Sequence, residues 1–118
     1  GLFMAIAIDK MIEEFGALVD WREDAVVTQV TTTARVIARN NPDRLQVMMM
    51  NLSASNVFVR PSQAPTTTTG ILLTPLGGFV VFNVKDDGPL AFIEWQGIGA
   101  AIDLDIYVLE ILGVKSLT

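Results

Sequence analysis

Between Val26 and Leu112 the chain is a succession of short β-branched and aromatic runs, each closed by Asn, Pro, Asp, Ser or Gly, and this punctuation restricts the fold more than any other feature. Residues 26–39 alternate, with Val26, Val30, Ala34, Val36 and Ala38 on one side and Gln29, Thr31, Thr33, Arg35 and Arg39 largely on the other. That is the period of a strand, read as one long strand or two with a bend near Thr32. Asn40-Asn41-Pro42-Asp43 is a turn, because Asn tolerates left-handed backbone and Pro presets a turn angle. LQVMMMN, a break at Ser53-Ala54-Ser55 and NVFVR then read as a hairpin over residues 45–60. After the polar loop PSQAPTTTT come Gly70-Ile71-Leu72-Leu73, the turn Thr74-Pro75-Leu76-Gly77-Gly78 and the strand FVVFNV. Asp86-Asp87-Gly88-Pro89 is the next turn, LAFIEWQ the next strand, Gly97-Ile98-Gly99 a break and IDLDIYVLEIL the last strand. Many short strands joined by turns predict an all-β fold, an antiparallel β-sandwich of jelly-roll-like form.

The alternation also assigns faces. In the last strand Ile102, Leu104, Ile106 and Val108 point inward, against Asp103, Asp105 and Tyr107. Two other segments are apolar on both sides. If Leu45, Val47 and Met49 point in, then Met48 and Met50 point out, and Phe79 with Val81 opposes Val80, Phe82 and Val84 in the same way. Either a helix or long loop covers that second face, or it is a subunit interface, where Met and aromatic residues are enriched.

Ahead of the strands, Ile8, Met11, Ile12, Phe15, Leu18 and Val19 recur at spacings of three and four, the stripe of an amphipathic helix from Ala5 to Val19. Asp9, Lys10, Glu13 and Glu14 lie mainly on its other side, which faces water. The domain reading is a helical arm over residues 1–22 and a sandwich over 23–118. The opening Gly1-Leu2-Phe3 superficially resembles a fusion peptide, but carboxylates from Asp9 onward make insertion costly. They also interrupt any transmembrane or signal-peptide stretch, so no membrane partner is expected.

Composition narrows the chemistry. The 118 residues contain no Cys, so disulfides and thiolate metal sites are excluded and the core alone must hold the fold. A net charge of −5 with no Lys/Arg run argues against nucleic acid. Charged residues make up 18% of the chain against a usual quarter, which suggests that some apolar surface meets a neighbour. There is no His, which removes the commonest general base and metal ligand, and Ser-Lys catalysis finds Lys10, Lys85 and Lys115 only in charged or terminal settings. Asp103 and Asp105, two apart on one strand, with Glu94 opposite, suggest a glycosidase pair or Ca²⁺ site less readily than a solvated strand face. Asp86-Asp87-Gly88 reads as a plain turn, and Gly77-Gly78 precedes a strand and not the helix a phosphate loop needs. Trp95 and Tyr107 read either as core or as a sugar-stacking platform. No catalytic, cofactor-binding or metal-ligating residue is therefore expected, and the protein reads as a non-enzyme.

From Arg35 to Glu110 the order of motifs resembles small β-sandwich structural proteins of tailed bacteriophages. The resembling segments are ARVIARNNPDRLQVMMMNLSASNVFVRPS, the Thr-rich loop into TGILLTPLGGFVVFNV, and IDLDIYVLEI. Asn51, Ser53, Val57, Phe58, Val59, Gly70, Ile71, Leu73, Pro75 and Gly77 keep the family pattern, whereas Leu76 intrudes between Pro75 and Gly77. The N-terminal helix has no place in that pattern. The resemblance implies a virion location and a structural role as a capsid decoration or cement protein, or a head or tail accessory subunit. It also implies homo-oligomers and contacts with virion proteins such as the major capsid protein. The interface residues expected are Ile8, Met11, Ile12, Phe15, Leu18, Met48, Met50, Phe58 and Phe79. The alternative is a receptor- or carbohydrate-binding module of a spike or fibre, with an exposed aromatic cleft near Trp95 or residues 61–69.

Overall fold

The computed structural model of the chain describes residues 6–7, 9–10, 19–23 and 27–113. Among these the strands are β1 Val19–Arg22, β2 Gln29–Val30, β3 Arg35–Ala38, β4 Arg44–Asn51, β5 Val57–Pro61, β6 Ile71–Leu73, β7 Phe79–Asn83, β8 Trp95–Gly99 and β9 Leu104–Gly113. A single-turn helix, α1, covers Val84–Asp87 and leads into a 3-10 turn over Gly88–Ala91. The first sheet runs β1-β9-β4-β7 with β2 also on β9, and the second runs β3-β8-β5-β6, all pairs antiparallel. From β2 to β9 consecutive strands cross between the two sheets of the sandwich, except β5 and β6, which pair in one sheet. β1 and β2 are two pieces along one edge of β9, on Glu110–Gly113 and on Leu104–Asp105 respectively.

The inner faces supply one core. Val30, Val47, Met49, Leu104, Ile106 and Val108 from the first sheet meet Ile37, Ala38, Val57, Val59, Leu73 and Trp95 from the second. Phe82 stacks on Trp95 across the gap with ring centroids 4.8 Å apart. Neighbouring side chains leave no room beside the glycines of β8. A Cβ at Gly97 would lie 3.1 Å from Val30 Cγ1 and 3.2 Å from Ile37 Cγ2, and one at Gly99 would lie 2.4 Å from Leu104 Cδ1. Gly97-Ile98-Gly99 is therefore not the expected break but the middle and end of a strand, kept bare so that the facing sheet fits.

Other expectations shift for identifiable reasons. Residues 45–60 form no hairpin, since β4 pairs with β7 and β9 while β5 pairs with β6 and β8. The chain leaves one sheet for the other at Asn51. This fully buried side chain donates to Ser55 O at 2.7 Å and Leu73 O at 2.9 Å, and accepts from Ser53 N and Oγ at 2.9 and 2.7 Å. Residues 26–39 likewise resolve into β2 and β3 in different sheets, with the bend between them. The turn at Asp86 is helical, because Asn83 caps α1 by accepting from Asp86 N at 2.8 Å. LAFIEWQ yields a strand only from Trp95. Ahead of it, the carbonyls of Ala91 and Ile93 turn to the guanidinium of Arg44, at 2.7 and 2.6 Å, and are lost to any ladder. Ile102 does not point inward; it lies before β9 and is 67% exposed.

The arm is also redrawn. Ile6, Ala7, Asp9 and Lys10 carry helical backbone and are exposed, while the stripe residues Ile8, Met11, Ile12, Phe15 and Leu18 lie outside the described residues. Val19 is not the end of a helix but the first residue of β1, opposite Gly113. Residues 19–22 therefore belong to the sandwich, and the expected boundary after residue 22 falls inside its sheet. Arg22 explains why. Its side chain turns inward to Glu110, with Nε to Oε1 at 3.0 Å and Nη2 to Oε2 at 3.3 Å, and Glu110 in turn accepts from buried Arg44 Nη1 at 2.9 Å.

Candidate functional site

The outer face of the first sheet is where apolar side chains accumulate without a described partner. In β4, Val47, Met49 and Asn51 are buried, so Met48 and Met50 face outward, one of the two facings the sequence left open. Register then fixes their neighbours. Met48 lies between Leu109 of β9 and Val81 of β7, and Met50 between Tyr107 and Phe79. Further along, Ile111 lies between Trp21 of β1 and Gln46, which faces Asn83. Ten side chains in three cross-strand rows are thus uncharged, and eight of them are apolar or aromatic. Trp21, Phe79 and Val81 are 63%, 58% and 39% exposed, which is unusual for residues of this size on a sheet. With strands ~4.8 Å apart and ~3.4 Å per residue, the face covers roughly 330 Å² in projection, the scale at which a surface patch carries function.

A groove of about 450 Å³ adjoins the row of Ile111, lined by Leu45, Gln46, Asn83, Val84, Lys85, Asp86 and Ile111. Asn83 and Asp86 of its lining are engaged locally. Asn83 Nδ2 donates to Asp86 Oδ2 at 3.1 Å, and Asn83 N donates to Asp87 Oδ2 at 2.9 Å. At the other end of the face, partial withdrawal from water raises the phenol of Tyr107 above its ordinary value, and Glu23 adds to this by its charge and by a hydrogen bond. Tyr107 is the only tyrosine of the chain, so tyrosinate absorbance reports it alone. Its midpoint is expected above pH 10.0, and Glu23→Gln should bring it back toward that value. The sign is that of a raised folded-state value: stability from this group is present at neutral pH and is lost as pH climbs through the folded midpoint. A midpoint at or below the ordinary value in the folded protein contradicts the contact.

Of the expected interface residues, Met48, Met50 and Phe79 come together on this face. Phe58 does not join them; it is on the outer face of the other sheet, between Leu72 and Ile98. The N-terminal five lie outside the described residues. Trp21, Leu109 and Ile111 were missed, although the outward apolar alternation of Tyr107, Leu109 and Ile111 was visible in the last strand, and Trp21 stood out between Asp20 and Arg22.

The other candidate chemistries separate in space. Asp103 sits in a turn with φ 55°, Asp105 is on β9 accepting from Gln29 Nε2 at 2.8 Å, and Glu94 precedes β8 at the opposite end of the sandwich. Among the described residues no group of three or more Asp and Glu side chains is placed to hold a metal ion. Trp95 is fully buried, with its indole N–H on Leu90 O at 2.9 Å, so no sugar stacks on it. Leu76, between Pro75 and Gly77, takes left-handed backbone with φ 59° at a loop tip and is 78% exposed. Comparison of the chain with protein-family models, with curated proteins and with solved structures gave no match.

Proposed function

We propose that the protein is a non-enzymatic structural subunit of a tailed-phage virion, a decoration, cement or accessory protein that works by assembling with copies of itself and with other virion proteins. The observation that carries this reading is the uncharged outer face around Met48, Met50, Phe79, Val81 and Trp21. An apolar area of this kind gains ~25 cal/mol per Å² when a partner covers it, without any covalent chemistry. The face supplies about two fifths of the ~800 Å² per partner in a standard interface. The apolar residues Ile8, Met11, Ile12, Phe15 and Leu18 of the same sequence are proposed as the source of the rest. The likeness of residues 35–110 to small phage sandwich proteins gives the setting.

Light scattering over a concentration series tests this, with Met48→Ser/Met50→Ser beside the parent chain. The parent is expected to form an oligomer whose dissociation constant rises at least ~100-fold in the variant. Thermal stability should change little, because both side chains point away from the core. An oligomer indifferent to the substitutions removes this face as the means of assembly.

A further inference from the structure

The edge of the same sheet carries a second kind of information, held in backbone groups and not in side chains. β7 is the last strand of the order β1-β9-β4-β7, so among the described residues one of its edges has no strand beside it. Antiparallel pairs alternate between those joined by hydrogen bonds and those that are not. Asn51 N donates to Gly78 O at 2.9 Å and Asn51 O accepts from Gly77 N at 2.7 Å, so Asn51, and with it Met49 and Val47, direct their backbone groups toward β7. Continuing the register, Met49/Val80 and Val47/Phe82 are bonded pairs, and Met50/Phe79 and Met48/Val81 are not. Phe79 and Val81 therefore direct their N–H and C=O groups away from β4, toward the open edge. Asn83 points the same way, and its N–H is already taken by Asp87 Oδ2.

Edge strands of this kind usually carry a charge, a proline or a bulge that prevents pairing. β7 has none of these: its sequence is Phe-Val-Val-Phe-Asn and its register with β4 runs without a shift. Among the described residues, nothing bonds the free groups of Phe79 and Val81.

We infer that two copies of the chain join edge to edge through β7, antiparallel about a two-fold axis at Val80, extending the first sheets of both into one. The occupant follows from the donor pattern. Centred on Val80, each Phe79 faces the partner's Val81, and the two free donor–acceptor pairs of each strand close four N–H···O bonds. Centred on Val81, each Phe79 would instead face the partner's Asn83, whose N–H is not available. No charged side chain opposes its own image, so the strand is complementary to itself. The outer apolar face also continues across the axis, since Phe79 and Val81 are its outermost members. This pairing rests on backbone groups and does not depend on the face reading.

Because the chain has no cysteine, single substitutions report the register. In the Val80-centred pairing, Val80→Cys places two thiols on a non-bonded pair with Cα atoms ~4.5 Å apart, within disulfide reach. Mild oxidation is expected to give a covalent dimer. Val81→Cys should give none, because those residues sit diagonally beyond ~7 Å. Val81→Pro removes an outward N–H and leaves the ladder to β4 intact, a position where an edge proline is tolerated. It should weaken dimerisation at least 30-fold with little change in unfolding midpoint. If Val81→Pro fails to fold, the cysteine pair still decides. The inference is overturned by a parent chain monomeric at several hundred micromolar, by equal cross-linking of both cysteine variants, or by none in Val80→Cys. A dimer lost in Met48→Ser/Met50→Ser but kept in Val81→Pro assigns assembly to the face and not to the edge. The converse result supports the edge and removes the face.

Discussion

Glu110→Gln is expected to cost about 3–5 kcal/mol, enough to bring a domain of ordinary stability close to unfolding. Glu110 and Arg44 are both buried, joined at 2.9 Å. Arg44 also donates to the carbonyls of Ala91, Arg39 and Ile93, so its hydrogen bonds survive the substitution. Its charge is what loses its counterpart, and an uncompensated buried guanidinium dominates the result. Arg22 is a control within the same cluster, because its side chain remains 39% exposed. Arg22→Gln should cost no more than ~1 kcal/mol. Thermal unfolding separates the two, with a fall of roughly 10–20 °C for Glu110→Gln against a few degrees for Arg22→Gln. Equal, small shifts would mean that Arg44 is solvated and that the cluster is not a buried one.

Asn51→Leu is the second large effect. The shape of the side chain is nearly kept, but the carbonyls of Ser55 and Leu73 lose their donor and Ser53 N loses its acceptor. At about 1–3 kcal/mol for each buried polar group left unpaired, the expected loss is about 3–5 kcal/mol after the gain from burying a Leu. Asn51→Asp should be no better, since a carboxylate would meet two carbonyl oxygens. Denaturant unfolding measures both. A Leu variant within 1 kcal/mol of the parent would show that the crossing between sheets is held by its strands and not by this amide.

These two sites mark where the sequence could not be read. A buried Arg-Glu pair looks like any surface Arg and Glu, because what buries it is the crossing of residues far apart in the chain. Strand existence and facing were legible wherever one face is wet, as in Leu104, Ile106 and Val108. The outward position of Met48 and Met50 was legible only on the condition that Val47 and Met49 point in, because both faces of that strand are apolar. What failed was non-local. Gly97 and Gly99 have a local meaning as breakers, and only Val30, Ile37 and Leu104 from other strands give them their place in β8. Residues 45–60 carry a good hairpin signature, but two neighbouring strands joined by a short break pair or part according to which partner wins, and β9 wins over β5. Phe58 alternates like Met48, and nothing within its own strand says that it belongs to the other sheet.

The place of β9 has a consequence for how the chain acquires its structure. It is the latest strand in sequence order and yet lies inside the first sheet, touching β1, β2 and β4. During synthesis from the N-terminus, β4 has β7 on one side and an empty lane on the other until residues 104–113 leave the ribosome. The core cannot close before then, and loop closure over such separations is slow. Nascent chains thus pass through an interval in which Val47, Met49 and the Met48–Met50 face are bare together, the stage at which crowding of neighbouring chains does the most harm. A sandwich keyed by β9 is in effect timed: it becomes one object only when residues 104–113 have emerged.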